Sequence, residues 1–247
     1  MRLNDDIELL DGLPIAFIRS INSLVVADLH LGYEGVMAKS GVFAPKVNSK
    51  RIIEELGKAI ELTKAQDIIV VGDIKSDFST VIQDEFNELY DLIEFAKKQR
   101  VSITLIKGNH DNFVERYKDS FKLKVYNQEA MLGFYYFFHG EEVPDIKGKG
   151  ARMLIMGHEH PCIAITNSVG RREKLRCFLH GSYGKIPLLV IPAMNYFSSG
   201  TAVNAEPKHS LLAPVLKEGA DIDKMHAIAV GFGSTIDFGE VGKLRGL

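Results

Sequence analysis

Three short apolar runs, residues 23–27, 67–71 and 101–106, are separated by two stretches of helical period, and this alternation constrains the fold more than any other feature of the chain. From Asn48 the apolar positions Ile52, Ile53, Leu56, Ala59, Ile60 and Thr63 recur at helical spacing, with Asn48 or Ser49 available as the cap. A second helix is expected over residues 82–98, with Phe86, Leu89, Tyr90, Ile93 and Ala96 on one face. The runs themselves are rich in Val and Ile, and the first, Ser23-Leu24-Val25-Val26-Ala27, is β-branched and mostly apolar, which suits a strand buried on both faces. A βαβαβ order implies right-handed crossovers and a parallel sheet, so the loops at the ends of the three strands emerge at one edge. In open α/β sheets that edge is where ligands bind.

Each run gives way to polar residues. The first leads into Asp28-Leu29-His30, where Asp28 and His30 alternate about Leu29 and share a face if the chain stays extended. The second ends in Gly72-Asp73 and the third in Gly108-Asn109-His110-Asp111. Taken alone, the last four residues could be a polar turn with local backbone hydrogen bonds. The later chain adds to them. Residues 131–138 read as one long aromatic strand ending in His139-Gly140, and residues 152–156 as a short strand ending in Gly157-His158-Glu159-His160. Five of the eight histidines fall in these blocks, each after an expected strand. Imidazole nitrogens with carboxylate and amide oxygens form a mixed donor set that suits Mn, Fe, Zn, Co or Ni better than Ca or Mg. Seven such donors exceed what one ion with an open position needs and match two ions sharing a carboxylate.

The five blocks, Asp28-Leu29-His30, Gly72-Asp73, Gly108-Asn109-His110-Asp111, His139-Gly140 and Gly157-His158-Glu159-His160, resemble those of the calcineurin-like metallophosphoesterase superfamily in order and spacing over about residues 22–161. The resemblance implies an α/β fold, a four-layer αββα sandwich of two mixed sheets flanked by helices. It implies that Asp28, His30 and His160 hold one divalent ion, that Asn109, His139 and His158 hold another, and that Asp73 bridges them. His110 is similar to the superfamily's catalytic histidine, which is not a ligand and assists the leaving oxygen. Asp111 would orient His110 or a ligand. The implied cofactors are two divalent metal ions, Mn first and Fe, Zn, Ni or Co as alternatives, with a metal-bridging hydroxide as the attacking group. A narrower resemblance rests on Leu31-Gly32-Tyr33-Glu34, on Gly157-His158-Glu159-His160-Pro161, and especially on Ile191-Pro192-Ala193-Met194-Asn195 with Gly200-Thr201-Ala202-Val203-Asn204. These look like the small archaeal and bacterial enzymes related to the DNA-ligase-associated group. That likeness implies phosphodiester substrates in DNA or RNA and association with a helicase or ligase.

Composition bounds the remaining possibilities. The chain has 247 residues, 46% hydrophobic and 25% charged, and reads as one globular domain over 1–247. No apolar run approaches the roughly 18 residues of a membrane span, and the amino terminus lacks the basic-then-apolar plan of a signal peptide, so a cytoplasmic protein with no membrane partner is expected. A net charge of −2 gives no global attraction to nucleic acid. The one basic cluster, Arg171, Arg172, Lys174 and Arg176, lies on a hairpin expected to turn at Ser168-Val169-Gly170 and is either a solvated edge or a phosphate-backbone contact. Cys162 and Cys177 read as two buried thiols without metal-site spacing. His180, His209 and His226 read as surface or hydrogen-bonded histidines, and the run from Phe134 to Phe138 as sheet core. Tyr33, Glu34 and Asn195 are candidates to line a cleft, and residues 198–208 form the best candidate for a mobile loop. Against a phosphodiesterase stand a phosphomonoesterase acting on a small metabolite and a non-catalytic scaffold of the same fold. The full set of ligands argues against the scaffold.

Overall fold

The computed structural model describes residues 1–78, 82–112, 114–166, 170–231 and 233–246. The first half contains β1 (Ile7–Leu9), β2 (Ala16–Ile18), β3 (Ser23–Val26), α1 (Tyr33–Lys39), α2 (Asn48–Thr63), β4 (Asp67–Val71), α3 (Gln83–Gln99), β5 (Ser102–Ile106), α4 (Glu115–Phe121) and β6 (Lys124–Tyr126). Its six strands form one sheet in sequence order, antiparallel from β1 to β3 and parallel from β3 to β6. Strand alternation divides the residues of this sheet between two cores. Leu24, Val26, Ile68 and Val70 face α2 and α3, whereas Val25, Ala27, Ile69 and Val71 face a second sheet.

That sheet is built from β7 (Glu129–Leu132), β8 (Tyr135–Phe138), β9 (Met153–Met156), β10 (Pro161–Thr166), β11 (Arg172–Tyr183), β12 (Ile186–Val190), β13 (Thr201–Ala202), β14 (His226–Gly231) and β15 (Ser234–Glu240). Its main order is β13-β10-β11-β12-β9-β8-β7, with β14 joined to β11 and β15 to β14. Phe137, Ile155, Phe178, Leu189 and Ile228 meet the first sheet across the central core. The outer face, including Leu154, Leu179, Leu188 and Val190, is covered by Leu211, Val215, Leu216, Ile222 and Val241. The expected α/β sandwich of two mixed sheets is therefore present. Its fourth layer consists of single helical turns at Lys208–Ser210, Val215–Gly219, Ile222–Lys224 and Val241–Leu244 in place of long helices. No helix among the described residues is long and apolar enough to cross a membrane.

Several local expectations change. Residues 131–138 are not one strand, because Gly133 adopts φ 60° and folds β7 back on β8, with Leu132 opposite Tyr135. Tyr135 to Phe138 are core as expected, but Phe134 is half exposed beneath the Arg152 guanidinium. The start of α2 is capped by neither Asn48 nor Ser49. The buried Glu34 carboxylate, reaching across from α1, accepts the Val47 and Asn48 N–H groups at 2.9 Å each. A carboxylate there also complements the positive end of the helix dipole. The Asn48 amide is thereby free to tie two loops together, donating to the Leu29 carbonyl at 3.1 Å and accepting the Tyr196 N–H at 3.0 Å. Both cysteines are buried free thiols.

Candidate metal centre

All strand-end blocks meet at the carboxyl edge of the first sheet, between the two sheets. Three groups of potential ligands, Asp28/His30/His160, His30/Asp73/His110 and Asp73/His139/His158, each have donor atoms lying within 4.8 Å of one another. His160 Nε2 lies 3.3 Å from Asp28 Oδ1 and 3.4 Å from His30 Nε2. His139 Nε2 lies 3.3 Å from Asp73 Oδ2 and 3.2 Å from His158 Nδ1. Asp73 Oδ2 also approaches His30 Nε2 to 3.7 Å, so one carboxylate oxygen faces both sets. Asn109 Oδ1 is buried and has no hydrogen-bond partner. Converging imidazole and carboxylate atoms, with an orphaned amide oxygen on the same Gly108–Asp111 loop as His110, fit binding of divalent cations.

The sequence reading of Asp28 and His30 as extended residues sharing a face is corrected by the backbone. Asp28 (φ 55°), His30 (φ 45°), Asp73 (φ 52°), His158 (φ 66°) and His160 (φ 48°) all lie in the left-handed region. Three of the other four such non-glycine residues, Lys64, Arg100 and Lys122, are ordinary helix caps. Each such strained residue costs on the order of 1–3 kcal/mol and persists because its surroundings fix it. Asp28 N–H bonds the Gly72 carbonyl at 3.1 Å, His30 N–H the Asp73 carbonyl at 2.9 Å, and His158 N–H the Asp28 carboxylate at 3.1 Å. The motif glycines are required by closeness. A Cβ on Gly72 would overlap the His139 ring, and one on Gly108 would overlap the Asp73 carboxylate.

Hydrogen bonds on the far side of the rings set which nitrogen faces the centre. His139 Nδ1 lies 3.0 Å from the Val71 carbonyl, which can only accept, so Nε2 is turned to the site. His160 Nδ1 lies 2.7 Å from the Ser198 hydroxyl. His110 Nδ1 donates to the Ser76 carbonyl at 2.5 Å, while its Nε2 lies 3.8 Å from Asp73 Oδ2. Asp111 does not hold the His110 ring. Its fully buried carboxylate accepts the N–H groups of Asp73 (2.8 Å), Ile74 (2.9 Å) and Gly108 (2.9 Å), fixing the loop that carries the shared carboxylate.

In the ion-free chain these groups perturb one another strongly. Burial opposes charge on His139, but Asp73 and Asp28 overcome it and raise the ring to about 10. Burial pushes His30 and His158 down to about 4, helped for His158 by the charge of His139. Burial works against ionisation of Asp28 and Asp73 as well, yet the neighbouring imidazoles hold both below the usual carboxylate range. Burial and the charge of Asp73 push Asp111 up to about 7.

A cavity of about 530 Å³ opens beside the centre, with His30, His110 and His160 in its wall. Tyr33 and Asn195 line it as expected. Glu34 does not, being consumed at the start of α2. Ser76 and Ser198 also stand in the wall, together with Phe78 and Phe197, which sequence reasoning missed because they carry no motif signal of their own. The segment at 198–208 is tied in, through Ser198 on His160 and through β13, which pairs with β10. The basic hairpin is also largely engaged. Arg176 donates to the Ala193 carbonyl at 3.1 Å and lies over Tyr196, Lys174 donates to the Gly200 carbonyl at 2.9 Å, and Arg171 pairs with Glu173. Ser168 and Val169, at the expected turn, lie outside the described residues. His226 meets Asp237 at 2.9 Å and sits opposite His180 in the β11–β14 register, and His209 is exposed.

Residues 21–141 match the family described as calcineurin-like phosphoesterase. This match supports the calcineurin-like superfamily for the chain, and with it hydrolysis of phosphoric esters assisted by divalent metal ions. Among solved structures it is similar to the nuclease MPE of Pseudomonas putida, with 17% identity, a TM-score of 0.66, and coverage of 93% of this chain and 94% of that one. It is also matched to Yfce, a phosphoesterase from E. coli, with 16% identity, a TM-score of 0.45, and coverage of 87% and 96%. No curated protein matches the chain.

Proposed function

We propose that the protein is a dinuclear metal-dependent phosphodiesterase acting on nucleic-acid or nucleotide phosphodiesters. The observation that carries this reading is the single Asp73 oxygen facing two sets of potential ligands, Asp28/His30/His160 and His139/His158, to the second of which we add Asn109 for its unpartnered buried oxygen. Two ions bound there would acidify a water and offset the charge of the phosphoryl oxygens. Within this reading, Asp73 bridges, Asp111 braces the Asp73 loop, and His110 delivers a proton from Nε2 to the departing ester oxygen while Ser76 anchors Nδ1. Water attacks phosphorus and releases one proton to solvent, the P–O ester bond breaks, and the leaving alkoxide takes the His110 proton. Phe78, with its ring centroid 3.5 Å from that of His110, limits solvent on the imidazole face.

Preference for a diester is supported by the cavity wall. Among the described residues it contains no Lys or Arg and includes Asp77. A monoester dianion would find no fixed cation there beyond the ions, whereas a diester carries a single negative charge. The nuclease named among the structural neighbours is in keeping with this substrate class. Mn is the expected activating ion, and the narrower likeness to enzymes accompanying helicases or ligases makes such a partner part of the proposal.

The test is hydrolysis by metal-stripped protein resupplied with Mn, Mg, Zn or Ni, on bis(p-nitrophenyl) phosphate, p-nitrophenyl phosphate, a 2′,3′-cyclic nucleotide and hairpin DNA. Turnover of diesters with Mn is expected. Activity confined to the monoester replaces the phosphodiesterase reading with the phosphomonoesterase one, and a folded, metal-loaded protein with no activity overturns both.

A further inference from the structure

The cavity beside the centre carries a feature that phosphoester hydrolysis by itself does not need. Tyr33 and Phe197, both half-buried, lie with their rings parallel to within 11° and their centroids 6.0 Å apart. Phe78 adds a third ring against His110. One of the two parallel rings stands where a loop enters α1 and the other on the loop after β12, each pinned by buried polar groups. Tyr33 comes directly after Gly32, whose N–H donates to Glu88 at 2.7 Å, and the Tyr33 N–H donates to the His30 carbonyl at 3.2 Å. The Phe197 N–H donates to the buried Asn195 side chain at 2.8 Å, and the neighbouring Tyr196 is held by Asn48 and flanked by the guanidinium groups of Arg51 and Arg176. These loops are fixed before any ligand arrives, so little ordering is required on binding.

Two flat faces of common orientation suit a planar ring better than an alkyl group. A volume of about 530 Å³ suits one small molecule rather than a duplex. The absence of Lys and Arg from the described lining leaves little for a run of phosphates to hold. Stacking is how unpaired bases are gripped without sequence preference.

We propose that the cavity is a nucleobase subsite: it takes one unpaired nucleotide, its phosphate at the carboxylate–imidazole cluster and its base stacked on Tyr33 and Phe197. This rests on the phosphoesterase reading above and adds that recognition runs through the base adjoining the phosphate. The test is calorimetric titration of the Mn-loaded protein with 2′-deoxyadenosine 5′-monophosphate and with 2-deoxyribose 5-phosphate, which lacks the base. The nucleotide is expected to bind roughly 5- to 150-fold more tightly, the range for one base on an aromatic side chain. Tyr33→Leu and Phe197→Leu, which keep bulk and remove the flat face, should each lose most of that ratio, and Tyr33→Phe should keep it. Binding of the sugar phosphate serves as the check that each variant is folded. A single-stranded oligonucleotide should displace the nucleotide and a blunt duplex of the same sequence should not.

Equal binding of the two ligands by the unaltered protein overturns the subsite, as does a ratio that survives in both leucine variants or displacement by the duplex. Hydrolysis of bis(p-nitrophenyl) phosphate, measured in parallel, separates the two claims. Turnover without base preference removes the subsite alone, whereas base preference without turnover upholds the subsite and removes the phosphodiesterase reading.

Discussion

The two proposed ligand sets, which would share Asp73, are anchored to different parts of the molecule. On one side His139 is fully buried, and its outer nitrogen is fixed by the Val71 carbonyl, part of a central strand of the first sheet. On the other side His160 lies at the cavity wall, and its outer nitrogen meets the Ser198 hydroxyl, a side chain on the loop after β12. A core-anchored ligand cannot turn without breaking the sheet's own packing, while a loop-anchored one depends on a single hydroxyl. From this we expect the ion at Asp73/His139/His158 to be the tightly held one and the ion at Asp28/His30/His160 to exchange more readily.

The largest effect should come from removing the residue that the sets have in common. Asp73→Ala should lose both ions, read by metal analysis of purified protein, and reduce hydrolysis to background. Retention of one full equivalent would mean that Asp73 does not serve both sets. His110→Ala should slow hydrolysis by roughly 10²–10⁴-fold with both ions retained, the range for a positioned acid–base group. Loss of an ion in that variant would make His110 a ligand, an arrangement that its place beside His30 and Asp73 makes geometrically reachable. The asymmetry itself is sharpened by Ser198→Ala, which should weaken one ion by roughly 10- to 100-fold and leave the other unchanged. Equal weakening of both in a two-site titration would break the comparison.

Smaller effects test the supports. Asp111→Asn places an amide NH2 where a carboxylate oxygen now accepts backbone N–H groups, so it should destabilise the metal-free protein by about 1–3 kcal/mol in urea unfolding. Proton linkage provides the gentlest probe. His139 is raised from its ordinary value to about 10 in the ion-free chain. Its contribution to stability is therefore complete below about pH 6.5 and is lost as pH rises through 10. An ion at this set must displace that proton, so metal affinity should climb between pH 7 and 9, with net proton release seen by calorimetry in buffers of different ionisation enthalpy. Affinity independent of pH over that interval would count against His139 as a ligand.

The parts legible in the sequence were those written as local patterns. The βαβαβ order could be read from period and strand-end chemistry, and six of the proposed ligands, all but Asn109, recur in the ligand groups that the fold brings together. Asn109 shows itself instead as an oxygen without a partner. The features that escaped were set by tertiary contact. Ser198 and Val71 act on His160 and His139 from remote positions in the chain, and nothing in their local sequence marks them. Glu34 was misread because an acidic residue near a cleft resembles a site residue, when its charge is taken up at a helix start. The strained conformations of five ligands were also invisible, since extended and left-handed residues obey the same apolar pattern before them. The missing helices of the fourth layer left their trace as short apolar stretches around Leu211 and Ile222 that have no sustained period.

The most direct measurement is a crystal structure of the Mn-loaded protein with anomalous difference density collected for Mn. Two peaks roughly 3.5–4 Å apart are expected, one among Asp28, His30 and His160 and one among Asn109, His139 and His158, with Asp73 touching both. A single peak, or two peaks with Asp73 bound to only one, would contradict the account of a shared carboxylate as the organising feature of the centre.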